Sequence, residues 1–127
     1  SRVPASMEER LAIAVELREI ALGAGLHHDD LIIDPVLPNL SWPDATLHVR
    51  EVVRTVRMLS GWSIFSEPVQ TMIGLSNLRS GLRTRYALDV ETTCLALLAG
   101  AGLNMALANV LQEGFIAAFQ TLQPLVP

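Results

Sequence analysis

Asn77 is the side chain of this sequence best placed to do chemistry. It lies in Thr71-Met72-Ile73-Gly74-Leu75-Ser76-Asn77-Leu78-Arg79-Ser80-Gly81, where the short run 69–73, apolar at Val69, Met72 and Ile73, stops at small and polar residues. A short apolar run bounded in this way reads as a buried parallel strand. In sheets of such strands, ligands bind at the carboxyl ends, where the loops leave. An amide at that point can both donate and accept hydrogen bonds, and Gly74 and Gly81 let the backbone take unusual dihedrals or approach a ligand closely. Two further polar residues end apolar runs in the same manner, Asp34 after Leu31-Ile32-Ile33 and Asn109 after Leu103-Asn104-Met105-Ala106-Leu107-Ala108. Each has a plainer alternative as a turn residue: Asn77 in a left-handed loop position, Asp34 before Pro35, Asn109 closing its strand.

Other chemistry-bearing residues fit simpler roles. His27-His28-Asp29-Asp30 has metal-capable side chains, but they are adjacent in a helix-to-strand loop that leads to the non-catalytic end of such a sheet, and they read as solvated. His48 falls near a helix start and is expected to be exposed. Cys94, within Cys94-Leu95-Ala96-Leu97-Leu98, reads as a small core hydrophobe. No Cys/His spacing suggests structural zinc, and no metal is expected. Gly100-Ala101-Gly102 ends a helix and precedes a strand, the wrong order for a phosphate loop.

The elements that must position Asn77, Asp34 and Asn109 follow from composition and pattern. With 127 residues, half of them hydrophobic but only 5% aromatic, the chain can build one domain around an aliphatic core. A net charge of −4 with no basic block leaves it without an electrostatic footprint for nucleic acid. A single cysteine excludes an internal disulfide framework and suits a reducing compartment. No apolar run approaches the roughly 20 residues of a membrane span, and the N-terminus lacks signal-peptide order; the expected location is the cytoplasm.

Ser6 and Glu9 fit a capping box opening a helix over 7–22, whose buried face is predicted to hold Leu11, Ala14, Val15, Ala21 and Leu22. A strand over 31–35 ends where Pro35 cannot donate to a ladder. Helix 44–59 carries the stripe Val49, Val52, Val53, Val56 and Leu59, and is stopped by Gly61. Strand 69–75, helix 86–99 closed by Gly100 and Gly102, strand 103–108 and helix 112–122 complete the order. Helices alternating with strands imply an α/β fold with a parallel sheet and right-handed crossovers. The spacing suits βα units of a barrel or of a doubly wound sheet. Three parallel strands would leave both sheet edges unpaired, whereas a full (β/α)8 barrel takes about 250 residues. The chain is therefore expected to be the C-terminal half of a TIM barrel.

Three strand ends together carry a family resemblance: Asp34-Pro35 in Leu31-Ile32-Ile33-Asp34-Pro35-Val36-Leu37-Pro38, the Gly74-Leu75-Ser76-Asn77 loop, and Ala101-Gly102-Leu103-Asn104-Met105-Ala106-Leu107-Ala108-Asn109. They resemble strands six to eight of the pterin-binding barrel, the superfamily of dihydropteroate synthases and methyltetrahydrofolate–corrinoid methyltransferases. The middle motif is similar to the methyltransferase branch, in which a Gly follows the Asn by four residues and an Arg by eight; Gly81 and Arg85 stand there in this chain. Arg2-Val3-Pro4 also resembles the loop after strand five. Asn104 and Asn109 stand where the family often has Asp.

The resemblance implies that residues 1–127 form a partial pterin-binding domain, from helix 5 to helix 8 of the barrel. It implies methyl transfer from methyltetrahydrofolate to a corrinoid, cob(I)alamin, carried by a partner protein or domain. It gives Asn77 the catalytic role, as a hydrogen-bond donor to nitrogen-5 of the pterin, and Asp34 the donor-rich edge of the ring. Gly74, Ser76, Ser80, Arg85 and Asn109 become substrate-binding residues, Arg85 toward the folate tail. For Arg85 a solvated helix-start arginine is the alternative. A fragment of this kind is expected to be inactive alone and to form a homodimer or associate with the missing half-barrel. Dihydropteroate synthase-like condensation is the second reading; it normally calls for a Lys/Arg pair on strands seven and eight, and the chain has no lysine. A pterin-binding module without chemistry is the third.

Overall fold

The computed structural model describes residues 3–82, 88–111 and 115–125. Among them are helices α1 (Met7–Gly23), α2 (Ala45–Leu59), α3 (Leu88–Ala101) and α4 (Phe115–Leu122), and strands β1 (Ile32–Ile33), β2 (Gln70–Gly74) and β3 (Met105–Leu107). The expected α/β alternation is present. The predicted starts of the last two helices, at Tyr86 and Gln112, lie outside the described residues.

Local chemistry accounts for most of the boundaries. Ser6 caps α1, its Oγ accepting from the Glu9 amide at 3.1 Å, and Glu8 and Glu9 put negative charge at the positive end of the helix. β1 is shorter than predicted. Asp34 bends the chain just past it by accepting from the Val36 amide at 2.8 Å, and Pro35 has no N–H to extend a ladder. α3 runs on through Gly100 to Ala101, and the reversal falls to Gly102 alone, at φ 108°.

The three strands form one parallel sheet in the order β1-β2-β3. Ile32 pairs with Gln70 and Ile33 with Thr71; Met72, Ile73 and Gly74 pair with Met105, Ala106 and Leu107. The helices touch in sequence, α1 on α2, α2 on α3 and α3 on α4, so they form a single layer. Thr71 and Ile73 point from β2 toward that layer and are fully buried. Residues of the opposite phase look out from the other face, where Ile32 is 46% exposed and Leu107 63%. One sheet face is covered over β2, though Ala106 of β3, in register with Ile73, is exposed, and the other face is open.

Under the covered face, the main core joins Leu37, Val52, Val56, Ile73, Leu75, Leu78, Leu95, Leu98 and Leu103, with Phe115 the only aromatic member among the described residues. A smaller cluster of Ala14, Leu59 and Val69 lies between α1, α2 and the start of β2. Burying a Val or Leu side chain of this kind contributes about 1.5–3 kcal/mol before entropy. The α2 stripe lies as predicted, with Val52, Val56 and Leu59 buried and Val49 and Val53 half-buried. Cys94 is in the core, where burial pushes its thiol up to about 11. Among the described residues no helix is long and apolar enough to cross a membrane.

The predicted face of α1 needs correction. Ala14 is buried and Leu11 and Ala21 half-buried, but Val15 and Leu22 face solvent, as do Ile13, Leu17 and Ile20. Apolar residues ring this helix, so periodicity did not single out a side. The residue that accompanies Ala14 inward is Arg10.

Gly102 marks the closest approach between two elements. A Cβ built there would fall 2.4 Å from Ser60 Oγ and 2.5 Å from Ser60 Cβ. Ser60 cannot swing away freely, because its hydroxyl donates to Ala101 O at 2.9 Å. Gly102→Ala should therefore lose about 2–3 kcal/mol of stability from left-handed strain and overpacking together. Urea denaturation measures it; Ser60→Gly in the same chain should recover part of the loss, and an unchanged midpoint for Gly102→Ala contradicts the geometry.

Candidate functional site

Parallel strands all end on one side of a sheet, so the residues that follow β1, β2 and β3 share a rim. Asp34 follows β1, Ser76 to Ser80 follow β2 beyond Gly74, and Asn109 follows β3. The sequence placed all of these at strand ends, and the topology brings the strand ends together.

The loop after β2 is built by a 3-10 turn, Leu75–Leu78. With three residues per turn, Leu75 and Leu78 lie on one face, and both are buried. Ser76 and Asn77 are thereby turned outward and are exposed. The Asn77 amide folds back over the end of the strand: a Cβ at Gly74 would sit 3.7 Å from both Asn77 Nδ2 and Oδ1. Gly74 is in phase with the open face of the sheet, so the amide lies at that edge. Its donors and acceptor make no hydrogen bond to any described residue, and the hydroxyls of Ser76 and Ser80 make none either.

Asp34 is exposed and spends one oxygen on the Val36 amide. The turn role weighed for it is therefore real, and it leaves the second oxygen without a partner among the described residues. Val36 itself sits at φ 63°, a left-handed conformation that strains a β-branched residue. Asn109 accepts from the Leu111 amide at 3.1 Å, so its carbonyl is occupied in a turn. Arg85 lies outside the described residues.

Two side chains that hold this rim were not singled out by the sequence. Asn39, in the loop after β1, donates through Nδ2 to Asn77 O at 3.0 Å and Ser80 O at 2.8 Å. The Leu40 amide adds a bond to Leu78 O at 2.9 Å. The one available signal was local: Asn39 Oδ1 accepts from the Ser41 amide, the turn that Asn forms with its own backbone two residues on.

Arg10 is the second. Nearly fully buried, it donates to Pro35 O at 2.8 Å, Ala5 O at 2.8 Å and Val36 O at 3.5 Å, and contacts His48 Nδ1 at 3.0 Å. Desolvation lowers its pKa, against the opposing charges of Glu51 and Glu9. A guanidinium has no acceptor, so His48 Nδ1 must be the unprotonated nitrogen. The ring proton is on Nε2, 3.2 Å from Asp44 Oδ2. His48 is buried, against the expectation of exposure, because it closes this network and its ring packs edge-on to Trp42.

The far end of the loop is tied to α3, where Arg79 Nε lies 3.2 Å from buried Glu91 Oε1. His28 also departs from the solvated loop expected of it. It is half-buried, accepting from Arg18 at Nδ1 and reaching Pro68 O at 2.9 Å from Nε2, with Phe65 against its ring. Among the described residues no three His, Cys, Asp or Glu side chains gather as a metal site.

A cavity of about 700 Å³ opens between α2 and α3, lined by Val49, Val53 and Leu97 with Arg50, Arg54 and Arg57 beside them. None of the predicted site residues among those described lines it. Its walls are mainly apolar with arginine side chains at the edge, and the polar residues singled out from the sequence are on the rim instead. No protein-family model matches the sequence.

Proposed function

We propose that the rim binds the pterin of methyltetrahydrofolate and that the protein transfers its methyl group to cob(I)alamin on a partner. The supporting observation is the Asn77 amide, exposed, uncommitted and turned back over Gly74 at the end of the central strand. The uncommitted oxygen of Asp34, at the end of the neighbouring strand, is suited to accept from the ring's N–H and amino groups. On this reading the sheet is an arc of a (β/α)8 barrel. Strands in sequence order, one helix layer and an open apolar face support that arc, since the open face would look into the barrel.

In the reaction the cobalt nucleophile attacks the methyl carbon, the bond to nitrogen-5 breaks, and its electron pair stays on nitrogen. That tertiary amine leaves poorly unless the developing charge is stabilised. A donor whose hydrogen bond strengthens in the transition state lowers the barrier. Asn77 Nδ2 is the candidate donor. An amide is too weak an acid to give up its proton, so the proton comes from solvent.

The experiment is calorimetric titration with methyltetrahydrofolate, paired with a methyl-transfer assay that follows the loss of cob(I)alamin absorbance, in the protein as its gene encodes it. Asp34→Asn should weaken binding by roughly tenfold or more, the loss of a hydrogen bond to a charged acceptor. Neither binding nor transfer by the wild type overturns the proposal. Binding without transfer moves the protein to the third reading, a pterin-binding module.

A further inference from the structure

We infer that Asn39 is a positioning residue for the Asn77 amide, an assignment that rests on the reading above. Asn77 is on a single 3-10 turn between a strand end and a loop, and its side chain touches nothing that would hold it by hydrogen bonds. Its direction must be set by its backbone. Asn39 takes hold of that backbone at two points, the carbonyls of Asn77 and Ser80, using both hydrogens of one amide group. Its own rotamer is fixed by the Ser41 N–H on its oxygen, so neither end of the amide is free to flip. The loop that delivers it is anchored in turn, with Leu37 and Pro38 fully buried on one side and Leu40 bonded to Leu78 on the other. The structure thus runs from core to Asn39, from Asn39 to the Asn77 carbonyl, and from there to the amide at the rim.

The substitutions that separate the possibilities follow from donor chemistry. Asn39→Ala removes both donors. Asn39→Asp keeps the shape but has no hydrogens to give, and aims a carboxylate at two carbonyl oxygens. Steady-state methyl transfer should show kcat lowered about 10- to 100-fold in Asn39→Ala and at least as much in Asn39→Asp, because a small misplacement of a catalytic group has effects of that size. KM for methyltetrahydrofolate should change by less than about threefold, since Asn39 donates to loop carbonyls and not to the ligand.

A double-mutant cycle supplies the decisive readout. Because Asn39 acts through Asn77, Asn39→Ala should have almost no further effect on kcat in an Asn77→Ala background. An undiminished effect there, or unchanged kcat in both single variants of an active enzyme, overturns the assignment and leaves the functional reading standing. A wild type that transfers no methyl group overturns that reading and this assignment with it.

Discussion

Arg10→Met is expected to destabilise the protein by about 3–5 kcal/mol, because several acceptors in or near the core lose their donor at once. Methionine matches much of the volume and is apolar, so the loss comes from polar groups. The carbonyls of Ala5, Pro35 and Val36 and the Nδ1 of His48 all face this guanidinium. Each acceptor left buried without a donor costs about 1–3 kcal/mol, lessened where water can reach it. Arg10→Lys should rescue little, because one ammonium cannot span the positions that the planar fork reaches together. Val36, strained and held partly by this contact, should loosen and take the Asp34 turn with it. Urea denaturation reads the first effect and amide exchange at Val36 the second. A loss under about 1 kcal/mol for Arg10→Met contradicts the structural role.

Asn77→Ala should leave stability nearly unchanged and slow methyl transfer by about 10²–10³-fold, equivalent to about 3–4 kcal/mol, as for other preorganised transition-state donors. The separation follows from the structure. The side chain is exposed and bonds to no described residue, so little of the fold depends on it. The backbone carbonyl that Asn39 holds survives the substitution, so the loop keeps its place. Asn77→Asp should be as slow as alanine, since the carboxylate supplies an acceptor where a donor is needed. Single-turnover transfer with saturating methyltetrahydrofolate is the measurement, and near-normal rates remove Asn77 from its proposed part in the reaction.

The parts of the fold that rest on local pattern could be read from the chain. The run 69–73, apolar at Val69, Met72 and Ile73 and bounded by turn residues, falls in or next to a strand; the valines of α2 recur at helical spacing, and they are buried or half-buried. That the strands are parallel and share a rim followed from alternation; their order did not, since a barrel and a doubly wound sheet alternate alike. What could not be read depends on contacts between distant segments. Arg10 follows two glutamates in a helix and looks like a solvated charge. Its acceptors come from residues 5, 35, 36 and 48, which only folding assembles. His48 was misjudged for the same reason, since its burial depends on Arg10. Asn39 was visible only as a loop residue, because the carbonyls it holds are 38 and 41 positions away. The positions of Asp34, Asn77 and Asn109 beyond strand ends could be read because such placement needs no more than the end of a strand.

The bonds from Asn39 and Leu40 fasten the loop after β1 to the loop after β2. The two therefore behave as one lip, unable to part without breaking three hydrogen bonds together. A molecule that tightens the segment beside Asp34 would also narrow the wandering of the amide beyond it. Grip at one strand end would become aim at the next.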